Sequence, residues 1–290
     1  MRTVEFNITE HENGLDVGTA LKRFGVSRRL TVKLKRTENG ITLNGEHIRT
    51  TDRVKSGDVL AIALSDGTPP EANFMRSVPV AYEDDDAVIF NKPVNMPVHP
   101  SHKHRSDTLG NYFGAIYPNL TFRPINRLDK DTSGLCAVAK NAYAAARLGG
   151  GIEKVYYAVV CGVIESDGII DAPIGRAEES VIKREVRSDG QRAVTKYTII
   201  KTTEKYTLVR VRLETGRTHQ IRVHFAYIGH PLAGDDFYGG DTSDISCQAL
   251  HCKEMSFISP SSGKMIRVEA PLREDIVRLM EGDSSSAERL

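Results

Sequence analysis

The segment from residue 123 to residue 139 constrains the fold of this 290-residue chain more than any other stretch. Pro124 holds the residue before it in an extended conformation, and residues 131–134 (Asp-Thr-Ser-Gly) all favour turns. The apolar run at residues 135–139 then predicts a buried strand. Asp129 is therefore expected on a loop that a buried strand holds in place, where a carboxylate can act as a nucleophile, a base or an ion-pair partner.

An aspartate beside an arginine and a lysine is most often a turn cap or part of a surface ion pair. Two features weaken that interpretation for Asp129. A solvated turn requires neither Leu128, which lies directly before it, nor the dense apolar strand that follows.

The same residues resemble the signature of the RluA family of RNA pseudouridine synthases. That signature is His-Arg-Leu-Asp, two variable residues, and then Thr-Ser-Gly. The matching residues are Arg127, Leu128, Asp129, Thr132, Ser133 and Gly134. Asn126 stands where the family usually has histidine, so the match is long and gapless but departs from the pattern at this position.

Residues 215–228 contain a second concentration of polar side chains. Ile221, Phe225 and Ile228 recur at helical spacing, which predicts an amphipathic helix with its basic residues outward. Five donor side chains crowd into one turn and a half, however, where a solvated face would more often include acids; they are Arg217, His219, Gln220, Arg222 and His224. This segment closely resembles the family's Thr-Gly-Arg-[Ser/Thr]-His-Gln-[Leu/Ile]-Arg-Val-His motif.

The resemblance implies an enzyme that detaches uridine at its glycosidic nitrogen, turns it and rejoins it through carbon. It assigns Asp129 as the catalytic nucleophile and Arg222 as the cation that keeps it ionised. Tyr156 matches the tyrosine of a Lys-x-Tyr-x-Ala motif, which excludes Tyr157, and is expected to stack on the base and handle a proton. Whether Asp129 attacks the ribose or the uracil, or triggers elimination, stays open.

Further side chains are expected to contact the substrate. Arg127 is the candidate to fill the space left by a flipped uridine, and the Asn-Lys-Pro motif at residues 91–93 resembles one that lines the family's cleft. The predicted substrate-binding residues are Arg127, Lys92, His219, Gln220 and Ile221. An isomerisation requires neither a metal nor a cofactor, and no phosphate loop or dinucleotide-binding pattern is present.

Residues 15–64 contain ten basic and five acidic side chains. Most of the excess lies near a helix predicted after Ser27, and Asn44-Gly45 predicts a hairpin turn. The candidate phosphate-binding residues are Arg28, Arg29, Lys33, Lys35 and Arg36. A solvated helix face is the alternative. The order of elements resembles the RNA-binding domain named after ribosomal small-subunit protein four (the S-four domain).

The length predicts two domains and an α+β fold with a mixed, largely antiparallel sheet. We expect an S-four-like domain at 14–65, a linker at 66–77 that can be cut without exposing core, a catalytic domain at 78–281 and a disordered tail at 282–290. No apolar run reaches 18 residues and the first residues lack a signal-peptide pattern, which favours a cytoplasmic protein without a membrane partner. The expected partner is ribosomal large-subunit RNA or tRNA, bound by a monomer.

Two other functions remain open. A glycosidase also cleaves a bond at an anomeric carbon, and Asp129 and Asp131 are two carboxylates close together. The chain has no tryptophan for a carbohydrate platform, and a glycosidase would leave the basic N-terminal segment unexplained. A non-catalytic RNA-binding protein of the same fold is the second alternative, for which Asn126 in place of histidine is the single hint.

Overall fold

The structure is a computed structural model that describes residues 2–64, 70–74, 77–101, 104–178, 180 and 182–281. The predicted linker at 66–77 lies partly outside these ranges, and the predicted tail at 282–290 lies wholly outside them. Two units follow one another along the chain, each built on its own sheet.

The N-terminal unit is a four-stranded antiparallel sheet with two short helices. Its elements are β1 (Arg2–Asn7), α1 (Val17–Arg23), α2 (Arg28–Leu34), β2 (Ile41–Leu43), β3 (Glu46–His47) and β4 (Val59–Leu64). The strand order is β1-β4-β2-β3. Because β1 pairs along its whole length with β4, the unit includes residues 2–13, which the predicted range 14–65 leaves out.

Local signals account for most of this unit. The Ser27 hydroxyl accepts a hydrogen bond from the Leu30 backbone N–H at 3.2 Å, so α2 begins where the sequence predicts. Asn44 and Gly45 have φ angles of 52° and 87°, as a two-residue hairpin turn between β2 and β3 requires. Since α2 ends at Leu34, the last two of the five predicted phosphate-binding residues lie in the turn after the helix.

The C-terminal unit is a ten-stranded sheet with four helices and a separate two-stranded hairpin. Its first elements are β5 (Val80–Glu83), β6 (Ala87–Lys92), α3 (Leu109–Ile116), β7 (Arg123–Pro124), β8 (Ser133–Ala139), α4 (Ala142–Leu148), β9 (Glu153–Cys161) and β10 (Gly168–Asp171). The hairpin is β11 (Ile174–Arg176) and β12 (Arg184–Val186). The last elements are β13 (Val194–Thr202), β14 (Tyr206–Leu213), α5 (Gln220–Tyr227), β15 (Leu250–Ile258), β16 (Met265–Glu269) and α6 (Glu274–Glu281).

The main path of the large sheet is β10-β13-β14-β9-β15-β8-β6-β5, with β16 on β15 and β7 on β8. Its strand pairs are antiparallel except for β8 with β15, so the predicted α+β class with a mixed, largely antiparallel sheet is confirmed. Every residue of β8 is buried, as the apolar run predicts. Thr108 caps α3, because Thr108 and Asn111 bond reciprocally.

Helix α4 of the C-terminal unit also packs into the core of the N-terminal unit. The ring of Tyr143 lies 5.6 Å from the ring of Phe6, and its side chain is buried among that unit's apolar residues. The hydroxyl of Tyr143 and the guanidinium of Arg147 both donate to the Phe24 carbonyl, at 3.3 and 3.1 Å. The prediction that the linker can be cut without exposing core is therefore wrong, because the cut would uncover Tyr143.

Candidate active site

Asp129 lies on the loop between β7 and β8, and Asn126 fastens that loop to β8. The Asn126 side chain donates to the Leu135 carbonyl at 3.2 Å and accepts from the Ala137 N–H at 2.8 Å. The Thr132 N–H closes the loop by donating to the Asp129 carbonyl at 3.1 Å. The asparagine found where the resemblance expects histidine thus satisfies two backbone groups of a buried strand, which leaves the Asp129 carboxylate unaffected.

The Thr-Ser-Gly segment after Asp129 fastens the loop to the region around β15. The Thr132 hydroxyl accepts from the Gln248 amide at 2.9 Å, and the Ser133 hydroxyl lies 2.8 Å from His251 Nδ1. Gly134 has a φ angle of 101°, and a Cβ placed on it would lie 2.3 Å from the Cys252 carbonyl oxygen. A glycine is required at this position because β8 and β15 approach so closely there.

The Asp129 carboxylate faces the guanidinium of Arg222 on α5. Arg222 NH1 donates to Asp129 Oδ2 at 3.1 Å, while Nε and NH2 of the same arginine donate to the two oxygens of Asp235 at 2.7 and 2.8 Å. The Asp235 carboxylate is almost wholly buried, whereas the Asp129 side chain is 30% exposed. Burial alone would lower the pKa of Arg222, but the hydrogen bonds and charges of Asp235 and Asp129 outweigh it and raise that pKa.

His219 lies on the other side of the same carboxylate. Its Nε2 is 3.7 Å from Asp129 Oδ2 and its Nδ1 is 2.8 Å from the hydroxyl of Tyr238. Burial lowers the pKa of His219, and the negative charge of Asp129 only partly offsets this effect, so the imidazole is neutral at neutral pH. His219 has a φ angle of 58°, an uncommon conformation for a residue other than glycine.

Two cavities meet at Asp129. The larger, of about 870 Å³, is lined by residues that include Arg127, Tyr156 and His219. The smaller, of about 70 Å³, shares these residues and adds Ile221 and Arg222. Both cavities therefore have Asp129 in their walls, and four of the residues predicted to contact the substrate reach at least one of them.

Tyr156 is the tyrosine that faces these cavities, whereas Tyr157 packs against a different apolar cluster. Burial raises the pKa of Tyr156 well above its ordinary value, and the nearby thiols of Cys252 and Cys136 and the carboxylate of Asp129 add to this effect. The side chain is therefore a phenol at neutral pH. Its side chain lines both cavities beside Asp129.

Two predicted substrate-binding residues have different roles in the structure. Lys92 is fully buried, and its ammonium donates to the carbonyls of Pro93, Met96 and Lys130 at 2.8, 2.8 and 3.1 Å. It therefore holds the chain directly after Asp129 and does not line the cleft.

Gln220 is the second predicted substrate-binding residue with a different role. Its amide oxygen accepts from the Thr215 hydroxyl and the Arg217 N–H, and its amide nitrogen donates to Val194 and Thr195. With two donors and two acceptors all engaged, the amide has no hydrogen-bonding capacity left for a substrate. Gln220 instead fixes the turn that leads into α5.

The expectation that the basic residues of α5 point outward is wrong. The first six residues of the helix are all buried. His224 bonds through Nδ1 to the Thr195 hydroxyl and through Nε2 to the Ala172 carbonyl, at 2.8 and 2.9 Å. The helix is packed between the sheet and the β11–β12 hairpin, so its polar side chains point into the protein, and Arg222 among them reaches Asp129.

Asp235 and Tyr238 are site residues to which sequence reasoning assigned no role. Gly234-Asp235 and Tyr238-Gly239 also resemble the family's sequence pattern, and this is the signal that could have found them. The predicted phosphate-binding residues Arg28, Arg29, Lys33, Lys35 and Arg36 are all exposed on the N-terminal unit. Across the described ranges, no group of three or more His, Cys, Asp or Glu side chains is arranged to hold a metal ion. No helix in those ranges is long and apolar enough to cross a membrane.

Comparisons with known proteins identify the family. A family model described as RNA pseudouridylate synthase matches residues 86–227. The uncharacterized RNA pseudouridine synthase YjbO of Bacillus subtilis is 38% identical over 272 residues, which cover 90% of this chain and 96% of YjbO. Ribosomal large subunit pseudouridine synthase D of Xanthomonas campestris is 37% identical over 276 residues, covering 86% and 83% of the two chains.

A solved structure, human RNA pseudouridylate synthase domain containing 1, superposes with a TM-score of 0.58 at 26% identity, covering 69% of this chain and 86% of the human one. Fold, site and similarities together define an RNA-modifying isomerase. The chain belongs to the RNA pseudouridine synthase family, and the predicted activity, isomerisation of uridine in RNA, is confirmed.

Proposed function

We propose that Asp129 begins the isomerisation of a flipped uridine and that the substrate is ribosomal large-subunit RNA. The observation that supports Asp129 most strongly is its position in the shared wall of two cavities, on a loop fastened to buried strands. Several relatives, including those of Xanthomonas campestris and Vibrio cholerae, are named ribosomal large subunit pseudouridine synthase D, which supports the choice of RNA.

The reaction rearranges bonds without an external reagent. The bond between uracil N1 and ribose C1′ breaks, a bond between uracil C5 and C1′ forms, C5 loses a proton and N1 gains one. The Asp129 carboxylate can attack or stabilise the electron-poor centre while the base turns. Arg222 donates a hydrogen bond to that carboxylate at 3.1 Å, and the ring of neutral His219 lies beside it, with Nε2 3.7 Å from Oδ2.

Arg127 is the proposed occupant of the gap left by the flipped base. Its side chain is exposed, lines both cavities and makes no hydrogen bond or ion pair with a described residue. Tyr156 is the proposed stacking partner of the uracil. Because its raised pKa keeps the hydroxyl protonated, it can take a proton from C5 only if it passes its own proton on.

Changing Tyr156 to Phe should lower kcat about 100-fold while KM stays within about threefold of wild type. The ring that stacks is kept, whereas the hydroxyl that handles a proton is removed. Single-turnover rates on a saturating RNA would measure this effect. Tyr157→Phe is the matched control, because it removes the same hydroxyl on the other face of β9 and should leave kcat unchanged. A wild-type rate for Tyr156→Phe would show that the Tyr156 hydroxyl takes no part in the reaction.

We also infer that the N-terminal unit is an RNA-binding module of the S-four type that contacts phosphates. The five cations predicted to bind phosphate are all exposed, on α2 and the turn after it. Their binding to phosphate would release counterions, so the affinity for RNA should weaken steeply as salt increases. Cytoplasmic location and a monomeric state remain predictions.

Changing Arg28, Arg29 and Lys35 together to Gln should weaken RNA binding and flatten its salt dependence. The slope of log affinity against log salt should fall by about 0.7–0.9 for each phosphate group that the variant no longer neutralises. Filter binding between low and physiological salt would measure it. The full-length chain is used because deleting the unit would uncover Tyr143. A control with Lys201, Lys264 and Arg278 changed to Gln removes the same charge from the C-terminal unit, and equal slopes for the two variants would contradict the inference.

A reaction of the purified protein with separate ribosomal large-subunit RNA and tRNA transcripts tests the proposed function. Pseudouridine in the large-subunit RNA is the expected product. Pseudouridine in tRNA alone would show that tRNA, and not ribosomal large-subunit RNA, is the substrate. Released uracil would indicate a glycosidase. RNA that is bound but unaltered would indicate a binding protein.

A further inference from the structure

The guanidinium of Arg222 contacts two carboxylates in this site, Asp235 through two nitrogens and Asp129 through one. We propose that Asp235 is a positioning residue for the reaction: it binds two of the three nitrogens of Arg222, so that a single N–H group reaches Asp129. Asp129 thereby stays an oriented carboxylate that is only partly neutralised. The inference rests on the proposed role of Asp129.

Backbone contacts hold the turn that contains Asp235, independently of its side chain. Gly234 has a φ angle of 75°, and a Cβ on it would lie 2.3 Å from the Cys247 carbonyl oxygen. The Asp235 N–H donates to the Leu232 carbonyl at 3.1 Å, and its own carbonyl accepts from Gly240 at 2.8 Å. A carboxylate on so tightly held a turn defines where the arginine must lie.

The contacts of Arg222 divide along the two edges of its guanidinium. The edge formed by Nε and NH2 meets the buried Asp235 as a bidentate pair at 2.7 and 2.8 Å. NH1, on the opposite side, makes the longer contact of 3.1 Å to Asp129 Oδ2. Tyr238 lies over the face of the guanidinium, 5.0 Å from the ring centre to the central carbon, which opposes rotation of the plane.

The charges explain why this division matters. One cation between two carboxylates leaves a net charge of −1 on the three groups, and Asp129 is the partly exposed member. If Asp235 became uncharged, the freed guanidinium edge would match the Asp129 carboxylate as a bidentate pair. Asp129 would then be neutralised and held out of line for attack, although both residues would still be present.

A double-mutant cycle tests this inference. Asp235→Asn should lower kcat at least about 30-fold and leave KM for RNA within about threefold, since Asp235 is not among the residues that line the two cavities at Asp129. Arg222→Gln should lower kcat at least as much. In the Arg222→Gln background, adding Asp235→Asn should change kcat by less than about threefold, because Asp235 acts through Arg222. Single-turnover rates at saturating RNA would be measured for the wild-type protein, the two single variants and the double variant.

Additive effects on kcat would overturn the inference, and so would an Asp235→Asn variant that changes only KM. If Asp235→Asn does not remain folded at the assay temperature, Asp235→Glu keeps the charge and displaces it by one methylene. Its kcat should fall at least about tenfold with KM retained, and an unchanged kcat would overturn the inference. Wild-type protein in the same assay separates the two claims: if it makes no pseudouridine, the proposed function fails, and if it does while Asp235→Asn matches it, only this inference fails.

Discussion

Replacing Asp129 with Asn should reduce pseudouridine formation by about 10⁴-fold or more while the protein stays folded and binds RNA. The change removes the charge that begins the reaction and almost no volume. The Asp129 side chain is partly exposed and contributes no side-chain hydrogen bond to the backbone of its loop, so the loop should persist. Initial rates on a saturating RNA, with thermal unfolding as a check on folding, would measure the effect.

Asp131 provides the matched control, because it is a second carboxylate on the same loop. It accepts a hydrogen bond from the Asn95 N–H at 3.2 Å and has no contact with Arg222 among the described bonds. Asp131→Asn should therefore stay within about fivefold of the wild-type rate, since an amide oxygen can accept the same bond. Equal reductions of the rate in the two variants would mean that the reaction depends on the loop as a whole and not on the Asp129 carboxylate.

Replacing Gly134 with Ala should destabilise the protein by roughly 3–5 kcal/mol. The new Cβ would lie 2.3 Å from the Cys252 carbonyl oxygen and 2.6 Å from its nitrogen, both backbone atoms of β15. The φ angle of 101° adds strain for any residue with a side chain. Chemical denaturation measures the change in the free energy of unfolding.

Gly150→Ala is the control for this prediction, because a Cβ there has open space and no left-handed φ angle is imposed. Its stability should lie within about 1 kcal/mol of wild type and can rise, since alanine lowers the entropy of the unfolded chain. A Gly134→Ala protein as stable as Gly150→Ala would show that β8 and β15 can separate at no cost. The close parallel pairing would then not be what fixes the Asp129 loop.

The sequence predicts features whose cause is local. Ser27 caps a helix as expected, because a side-chain oxygen before a helical pattern finds its N–H three residues later. Asn44-Gly45 forms its hairpin because few other pairs adopt two left-handed conformations in succession. The apolar run before residue 140 becomes a strand buried along its whole length.

Features that depend on distant partners were missed. Lys92 was expected to contact the substrate, and only the fold reveals the three carbonyls that surround its ammonium. Arg222 and Asp129 are 93 positions apart, and their contact was expected from the family resemblance alone. The bidentate partner Asp235 and the packing of Tyr143 into the N-terminal core have no periodic pattern in the chain, so physical reasoning on the sequence could not supply them.

Release of the hydrogen on uracil C5 tests the central claim most directly, because that hydrogen leaves only when C5 becomes the atom joined to ribose. Ribosomal large-subunit RNA carrying tritium at uracil C5 would be incubated with wild-type protein, Asp131→Asn and Asp129→Asn. We expect wild-type protein and Asp131→Asn to release one tritium into water for each pseudouridine formed, and Asp129→Asn to release none above the level without protein. Release by Asp129→Asn at the wild-type rate would contradict the assignment of Asp129 as the residue that begins the reaction.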